Sequence, residues 1–411
     1  MVDDRVKPTP LARVIEVRSG EDVERYLPAR PEGTHPAGPH NAPGGGVLVS
    51  FGPVDARTAH DLHRALRKEK LCGSTWVLDP MRSNEPCLFA WVDPGALLPL
   101  RRSGRRTRTD RSIQEIREVV QNYVAAEERV VALAGGRELR VGGRALVMGV
   151  LNVTPDSFSD GGNFFSTDRA IARARRMVKE GADLVDIGGE STRPGASWVS
   201  AEEEERRVLP VVKEIAEGLS VPVSIDTRRP RIAEKALRSG ASLVNDVGGL
   251  RSSAMRKVVQ RAGAGVAVMH MRGEPSTMQM LTRYADLRGE VFRFLKERTE
   301  LARADKISAD HLIVDPGIGF GKSVEGNVDL LSHLGEFRAL GYPVLVGTSR
   351  KSFLGHLSGG AVVTDRLEAS LGSAVVAALH GADIVRVHDV RETVRALTLV
   401  NAIADGRSPR H

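Results

Sequence analysis

The feature that most restricts how this chain can fold is a series of eight short, unbroken apolar runs. They are Ala145–Val150, Leu184–Ile187, Val221–Ile225, Leu243–Val244, Val266–Met269, Leu312–Val314, Pro343–Val346 and Ile384–Val387. A strand with one wet face alternates apolar and polar residues. These runs do not alternate, which predicts parallel strands buried on both faces. Helical patterns lie between them. Thr167-Asp168 can cap a helix carrying Ile171, Ala174 and Val178, with Gly181 to end it. Ser200 and Glu203 read as a capping box ahead of the stripe Val208, Val212, Ile215 and Leu219, with a kink expected at Pro210. Pro230 can start the next helix and Gly240 stop it. Eight strand–helix units over about 260 residues match the ~250 residues of a (β/α)8 barrel. A doubly wound open sheet is the alternative, because alternation alone does not distinguish closure from a free edge.

The residues ahead of the runs have a different texture. Ala12–Val17 and Gly46–Phe51 read as strands on either side of a Pro- and Gly-rich loop near residues 27–46. Ala56–Lys70 reads as a helix with Leu62 and Leu66 on one side, and Thr75–Leu78 and Cys87–Val92 as short strands. Ser112–Leu133 carries Ile113, Ile116, Val120, Tyr123 and Val124 at helical spacing. Leu139–Val141, Gly142-Gly143 and Arg144–Leu146 read as a tight hairpin. The expected fold is thus α/β: a (β/α)8 TIM barrel over residues 138–411, preceded by a small α/β domain over residues 1–137 to which no function is assigned.

Composition excludes several classes. Lys and Arg number 59 against 52 Asp and Glu, giving a net charge of +7 on 411 residues. The one dense basic cluster, Arg101, Arg102, Arg105, Arg106 and Arg108, lacks interleaved aromatics, so it reads as a solvated linker and no nucleic-acid partner is expected. No stretch approaches the ~18 apolar residues of a membrane span. The start of the chain lacks a signal-peptide core. Two cysteines, Cys72 and Cys87, make no disulfide framework, and a cytoplasmic setting is expected.

In a barrel of this kind the chemistry sits at the carboxyl ends of the strands. The residues at or just past the runs are Asn152, Asp186, Asp226, Asn245 with Asp246, His270, Asp315, Ser349-Arg350-Lys351, and Arg386 with His388. Every unit sends a polar group to one rim. Asp226, Asn245 and Asp315 suit a flat heterocycle with several N–H donors. Arg193, Lys351, Arg386 and His388 suit a phosphate or carboxylate. The glycine-bearing loops 152–163 and 190–200 could close over a ligand. The stretch Gly317–Ser323 ends like a phosphate-binding P-loop, but Pro316 stands where that motif needs its first glycine.

These residues carry a resemblance. Met148-Gly149-Val150-Leu151-Asn152-Val153-Thr154-Pro155-Asp156-Ser157-Phe158-Ser159-Asp160-Gly161-Gly162 resembles the signature loop of the dihydropteroate synthase family, as do Gly188–Gly195, Ile225-Asp226-Thr227 and Asn245-Asp246. Met269-His270-Met271, Asp315–Lys322, Ser349-Arg350-Lys351-Ser352 and Arg386-Val387-His388-Asp389-Val390 follow in family order. The resemblance spans roughly residues 138–405. It implies condensation of (7,8-dihydropterin-6-yl)methyl diphosphate with 4-aminobenzoate to 7,8-dihydropteroate and diphosphate, a step of folate biosynthesis. By that resemblance Asp226, Asn245, Asp315 and Lys351 hold the pterin, with Met269 near its face. Asn152 binds the Mg²⁺ that accompanies the diphosphate; Arg386 and His388, with Arg193 nearby, bind the diphosphate itself. Thr192, Arg193 and Pro194, with Phe158, Phe320, Lys351 and Ser352, form the aminobenzoate pocket. Asp226, Lys351 and Arg386 are the catalytic set it implies. A homodimer is the implied assembly.

Other readings compete residue by residue. Asp186 and Asp246 read as structural, His270 as a packed or hydrogen-bonded histidine, and Asp156 and Asp160 as residues that order the first loop. Three functional alternatives stand beside the synthase: a silent pterin-binding homologue, a pterin-dependent methyltransferase on the same barrel, and a non-enzymatic scaffold.

Overall fold

The computed structural model describes residues 11–16, 47–52, 56–68, 72–78, 87–92, 107–125, 128–153, 163–190 and 199–404. The Pro- and Gly-rich stretch 27–46 and Arg101, Arg102, Arg105 and Arg106 lie outside them. The chain divides into two units, one of residues 1–126 with 335–341, the other of residues 127–334 with 342–411. By this division residues 128–141 fall in the second unit.

In the first unit the strands β1 (Leu11–Val14) and β2 (Val47–Gly52) precede helix α1 (Ala56–Lys68). Strands β3 (Cys72–Leu78) and β4 (Cys87–Val92) and helix α2 (Arg108–Val124) complete it. The sheet is antiparallel throughout, in the order β1-β2-β4-β3. Leu48, Leu62, Leu66, Ile113, Ile116 and Val120 are fully buried. Thr107 caps α2: its hydroxyl accepts from Asp110 N at 3.1 Å, and Asp110 returns the bond by accepting from Thr107 N at 2.8 Å. Glu16 N donates to the Glu336 carboxylate at 2.9 Å, and Asn122 Nδ2 to Ala339 O at 3.2 Å, so residues 335–341 belong to this unit's hydrogen-bonded framework.

The helix expected to run to Leu133 stops at Val124, and its last apolar residues form a strand. β5 (Arg129–Ala132) pairs antiparallel with β6 (Glu138–Val141), turning at Ala134–Gly136. The hairpin expected at Leu139–Leu146 thus lies one strand earlier in the chain. Gly142-Gly143 does not join two strands of a ribbon, because the next strand, β7 (Leu146–Asn152), is buried along almost its whole length and belongs to the barrel.

From β7 the chain alternates: α3 (Asn163–Lys179), β8 (Leu184–Gly188), α4 (Ala201–Gly218), β9 (Val223–Asp226), α5 (Pro230–Arg238), β10 (Leu243–Asp246), α6 (Ser253–Ala262) and β11 (Gly265–Met269). Then come α7 (Leu287–Ala304), β12 (Leu312–Asp315), α8 (Val324–Ser332), β13 (Leu345–Gly347), α9 (Ser352–Leu357), α10 (Leu367–Leu379), β14 (Ile384–Val387) and α11 (Val390–Ala404). Seven parallel pairings run β12-β11-β10-β9-β8-β7-β14-β13. A parallel bridge between Val314 and Val344, with Val314 N donating to Pro343 O at 2.9 Å, brings the two ends together. The sheet closes into a (β/α)8 barrel, which removes the open-sheet alternative. Helix α4 starts at the expected Ser200 cap and continues through Pro210. Glu203, however, pairs with Arg206 and Arg207 and does not complete a capping box. Helix α3 starts at Asn163, ahead of the expected cap at Thr167-Asp168.

The hairpin closes one end of the barrel. Val131, Leu133, Leu139 and Val141 pack with Leu146, Leu184, Leu243, Leu345 and Ile384, the first residues of their strands, and with Met148, Ala267 and Ile313. Ala134 N donates to Ser242 O at 3.0 Å. The amino ends of the strands are thereby filled with hydrocarbon, and the carboxyl ends stay open for chemistry. No helix among the described residues is long and apolar enough to cross a membrane. Leu133→Ala should remove part of this plug and cost about 2–4 kcal/mol of barrel stability. Urea unfolding checks it; an unchanged midpoint would mean the hairpin adds nothing to the core.

Candidate active site

Strand parity decides which side chains enter the barrel. On β8 the residues Leu184, Asp186 and Gly188 share a face. Leu184 belongs to the apolar plug, so Asp186 and Gly188 point inward above it. In the same register Asn245 pairs with Asp226, Met269 with Asp315, and Gly347 with Arg386. The interior changes from hydrocarbon at the amino ends to charge at the carboxyl ends within two or three residues. Asp226 and Asp315 are the last residues of their strands, which explains why the apolar runs ahead of them stop one residue short of the strand ends.

Arg386 reaches across the barrel from β14. Its Nε donates to Asp186 Oδ2 and its Nη2 to Asp226 Oδ2, both at 2.7 Å. Asn245 Nδ2 donates to the same Asp186 oxygen at 3.0 Å. Asp186, read from sequence as structural, is therefore the hub that orients two predicted ligand-binding residues. The parity of Leu184, Asp186 and Gly188 was the signal for it. Two acceptors remain without a partner in this buried layer, Asp186 Oδ1 and Asn245 Oδ1. Unsatisfied acceptors in a dry site favour a ligand that donates hydrogen bonds.

Above this layer a cavity of about 370 Å³ opens at the carboxyl ends of the strands. Its walls bring together Asn152, Asp226, Asn245, Met269, Asp315, Phe320, Lys351, Ser352, Arg386 and His388, all expected from sequence. Phe158, Thr192, Arg193 and Pro194 lie outside the described residues, as do Asp156 and Asp160. Glu190, Val247, Met278, Ser349, Arg350, Val363 and Arg366 also line the cavity and had no assigned role. Arg350 holds its backbone at φ +59°, a strained conformation for a residue with a Cβ. Its N–H donates to Ser370 Oγ at 2.9 Å, its carbonyl accepts from Arg366 Nη1 at 3.0 Å, and its guanidinium grips Asp389. The strained turn sets Ser349 and Lys351 on the cavity wall, and Ser349 Oγ accepts from His388 N at 3.2 Å.

Two further readings are settled by contacts. Asp246 accepts from Gly248 N and Leu250 N, both at 2.8 Å, and anchors its loop as expected. His270 is buried, its Nδ1 accepting from Lys322 Nζ at 2.9 Å and its ring edge-on to Phe294. Lys322, the lysine of the P-loop-like stretch, is thus turned inward to the protein.

Electrostatics follow from burial. Loss of water pushes the Asp226 carboxyl up to about 7 against the pull of Arg386, with the charges of Asp186, Asp246 and Glu190 adding to the rise. Burial also raises Asp315, opposed by Lys351 and by the Gly317 N–H that donates to it at 2.7 Å. Burial brings Lys351 down to about 8, opposed by Asp315 and assisted by Arg386. Lys351 donates to the carbonyl of Ile318, with its ammonium 4.6 Å from the centre of the Phe320 ring. The site offers acceptors in its depth and cations beside them.

Comparison with known proteins agrees with this geometry. A family described as pterin binding enzyme matches residues 148–388. Dihydropteroate synthase of Escherichia coli K12 is 45% identical over 256 residues, covering 62% of this chain and 90% of the relative. The structure of Xanthomonas albilineans dihydropteroate synthase with 4-aminobenzoic acid superposes with a TM-score of 0.64 at 43% identity, over 68% of this chain and 99% of that one. Burkholderia cenocepacia dihydropteroate synthase complexed with 7,8-dihydropteroate gives 0.62 at 43%, over 68% and 98%. A closed barrel with this polar layer, matched over more than half its length, belongs to the pterin-binding enzyme family. Within the family its relatives are dihydropteroate synthases, and the chain is an enzyme of that activity, a transferase of folate biosynthesis.

The raised Asp226 carboxyl is directly observable. In the ligand-free protein it should titrate near pH 7 by carboxyl-carbon NMR. Asp186→Asn should lower that midpoint, because it removes a neighbouring negative charge and leaves Arg386 to Asp226. A midpoint near the ordinary ~3.9 of an aspartate in the unaltered protein would contradict the burial argument.

Proposed function

We propose a division of labour for this synthase in which Asp226, Asn245 and Asp315 accept hydrogen bonds from the pterin ring. Lys351 sits at its edge and Met269 against its face. The observation that carries this reading is the inward layer of acceptors, two of them unpartnered, beneath a cavity edged by Lys351, Arg386 and His388. A dihydropterin ring is flat and rich in N–H donors, and it satisfies acceptors that water reaches poorly.

The reaction breaks the C–O bond between the pterin methylene and the diphosphate, and forms a C–N bond to the aminobenzoate nitrogen, which then loses a proton. Charge accumulates on the departing diphosphate, and Arg386 and His388, with Arg193, are assigned to it. Positive charge left on the methylene spreads into the pterin, where the ionised Asp226 stabilises it. The aromatic amine is neutral at pH 7 and attacks without a dedicated base. Phe320, Lys351 and Ser352, together with Phe158, Thr192, Arg193 and Pro194, are assigned to 4-aminobenzoate. Asp226, Lys351 and Arg386 form the catalytic set.

Mg²⁺ fits the donor chemistry. Asn152 presents an amide oxygen at the end of β7 on the cavity wall. Magnesium is commonly held by one or two protein oxygens, with substrate phosphates and water completing the shell. No cluster of three or more His, Cys, Asp or Glu stands ready among the described residues. A protein cage is therefore not required, and Mg²⁺ bound with the substrate would neutralise charge on the leaving group. The first unit is read as an accessory domain, since the described residues that line the cavity fall between 152 and 388. A cytoplasmic homodimer is the assembly we favour. Leu379 on α10 and Leu399 and Ile403 on α11 expose apolar side chains on two adjacent helices, as a self-association face requires.

Purified protein given pterin diphosphate, 4-aminobenzoate and Mg²⁺ should release diphosphate and form dihydropteroate. Lys351→Ala, and Arg386→Lys, which keeps the charge but not the two-pronged fork, should each lower kcat/KM at least about tenfold. Pterin binding without turnover would favour a silent homologue; near-normal kinetics in both variants would remove these residues from the catalytic set.

A further inference from the structure

The turn that follows β12, Gly317–Gly321, is held at every carbonyl. Gly317 O accepts from Phe320 N at 3.1 Å and Ile318 O from Lys351 Nζ. Gly319 O accepts from Gln279 Nε2 at 3.2 Å, Phe320 O from Lys322 Nζ at 3.0 Å, and Gly321 O from Tyr284 Oη at 2.7 Å. Gly319 N donates to Asn327 Oδ1 at 2.6 Å. The backbone also passes so close to β11 that a Cβ on Gly317 would lie 1.9 Å from His270 O. Its φ of +71° independently favours glycine there.

Phe320 is the side chain this turn presents to the cavity, packed against Val247, Met269, Met271 and Met278 with Lys351 over its ring. Of the donors that hold the turn, Lys322 is the unusual one. It is 3% exposed, and its Nζ lies within hydrogen-bond distance of Phe320 O, His270 O at 3.3 Å and His270 Nδ1 at 2.9 Å. Burial pulls its pKa well below the ordinary lysine value, the charge of Asp315 opposing, and no carboxylate is among its three hydrogen-bond partners. A buried ammonium without a carboxylate contact is costly, and an apolar side chain of the same length would be cheaper for stability alone. What the lysine provides instead is a link between two backbone carbonyls, one at the end of β11 and one on the residue that carries the aromatic wall.

We propose that Lys322 is a positioning residue that fixes Phe320 as the wall of the 4-aminobenzoate half of the cavity, through its hydrogen bonds to Phe320 O and to His270. The proposal rests on the assignment of Phe320 to 4-aminobenzoate. Without the link, the turn keeps its glycines and its other donors, but Phe320 loses the tie to β11 that sets its depth. Lys322 makes no hydrogen bond to the pterin residues Asp226, Asn245 and Asp315, and acts on the Asp315 carboxyl only through its charge. Lys322→Met and Lys322→Gln remove that charge alike, so the difference between them reports the hydrogen-bonded tie to Phe320.

The test is steady-state kinetics on the full chain with Phe320→Leu, Lys322→Met and the double variant. Phe320→Leu alone should raise KM for 4-aminobenzoate; if it does not, the assignment of Phe320 fails. Lys322→Met should raise the same KM by about tenfold, leaving KM for pterin diphosphate within about twofold and thermal stability equal or higher. Adding Lys322→Met to Phe320→Leu should change little further, because both act through one ring. If Phe320→Leu moves KM but Lys322→Met does not, or if Lys322→Met raises both KM values alike, the positioning role is overturned. Lys322→Gln, which keeps a donor for one carbonyl, should fall between the unaltered protein and Lys322→Met, and supplies the same comparison if the methionine variant does not fold. A glutamine variant that matches the unaltered protein in KM also overturns the proposal.

Discussion

The clasp of Arg386 by Asp186 and Asp226 is the interaction on which the site depends. It spans the barrel interior from β14 to β8 and β9, in a layer with little water. Loss of one member of such a buried set costs about 3–5 kcal/mol, because the remaining charge is left without its partner. The arrangement is stable only while all three are present. It also fixes where each carboxylate oxygen points, so Asp226 faces the cavity with an orientation that a lone surface aspartate would not keep. The hydrocarbon plug at the other end makes the clasp possible. Leu133, Leu139 and their neighbours fill the amino ends of the strands, so polar residues are confined to the carboxyl ends.

Burial then gives these groups their chemical character. Asp226 titrates near neutrality and Lys351 near 8, both drawn toward their uncharged forms by loss of water. Neighbouring opposite charges pull both back toward ionisation, so small changes in the cavity shift the balance. A bound ring with N–H donors acts in the same direction as Arg386 on Asp226, favouring the carboxylate. On the proposed assignment of the pterin to Asp226, substrate binding and ionisation of the site are linked, and the ionised carboxylate is the form that stabilises positive charge on the pterin methylene.

Much of this was legible in the sequence, for a physical reason. Strands buried on both faces leave runs such as Leu312–Val314 with no alternation, and counting eight of them predicts the barrel. The ends of the runs were less legible because Gly188, Asp226 and Asp315 break hydrophobicity while remaining in the strands. Asp186 was undervalued for the same reason: a charge inside an apolar run looks structural until strand parity places it beside Arg386. The hairpin was misplaced by one strand because Gly142-Gly143 has turn chemistry, while its first strand, Arg129–Ala132, was hidden in a helical pattern extended to Leu133. Lys322 could not be read at all. Its role depends on the carbonyl of His270, more than fifty residues away in the chain, and no local pattern records that proximity.

The most direct test of the account is the pH dependence of pterin diphosphate binding, measured by calorimetry in the unaltered protein and in Asp226→Asn. A carboxyl with a raised pKa is protonated below that value and loses acceptor capacity. Affinity should therefore fall as pH drops below about 7, by up to about tenfold per unit, and be level from there until Lys351 begins to lose its charge near pH 8. Asp226→Asn should bind more weakly and lack that slope. Affinity in the unaltered protein that stays constant from well below to well above neutrality would contradict a buried, ligand-binding Asp226 at the centre of this site.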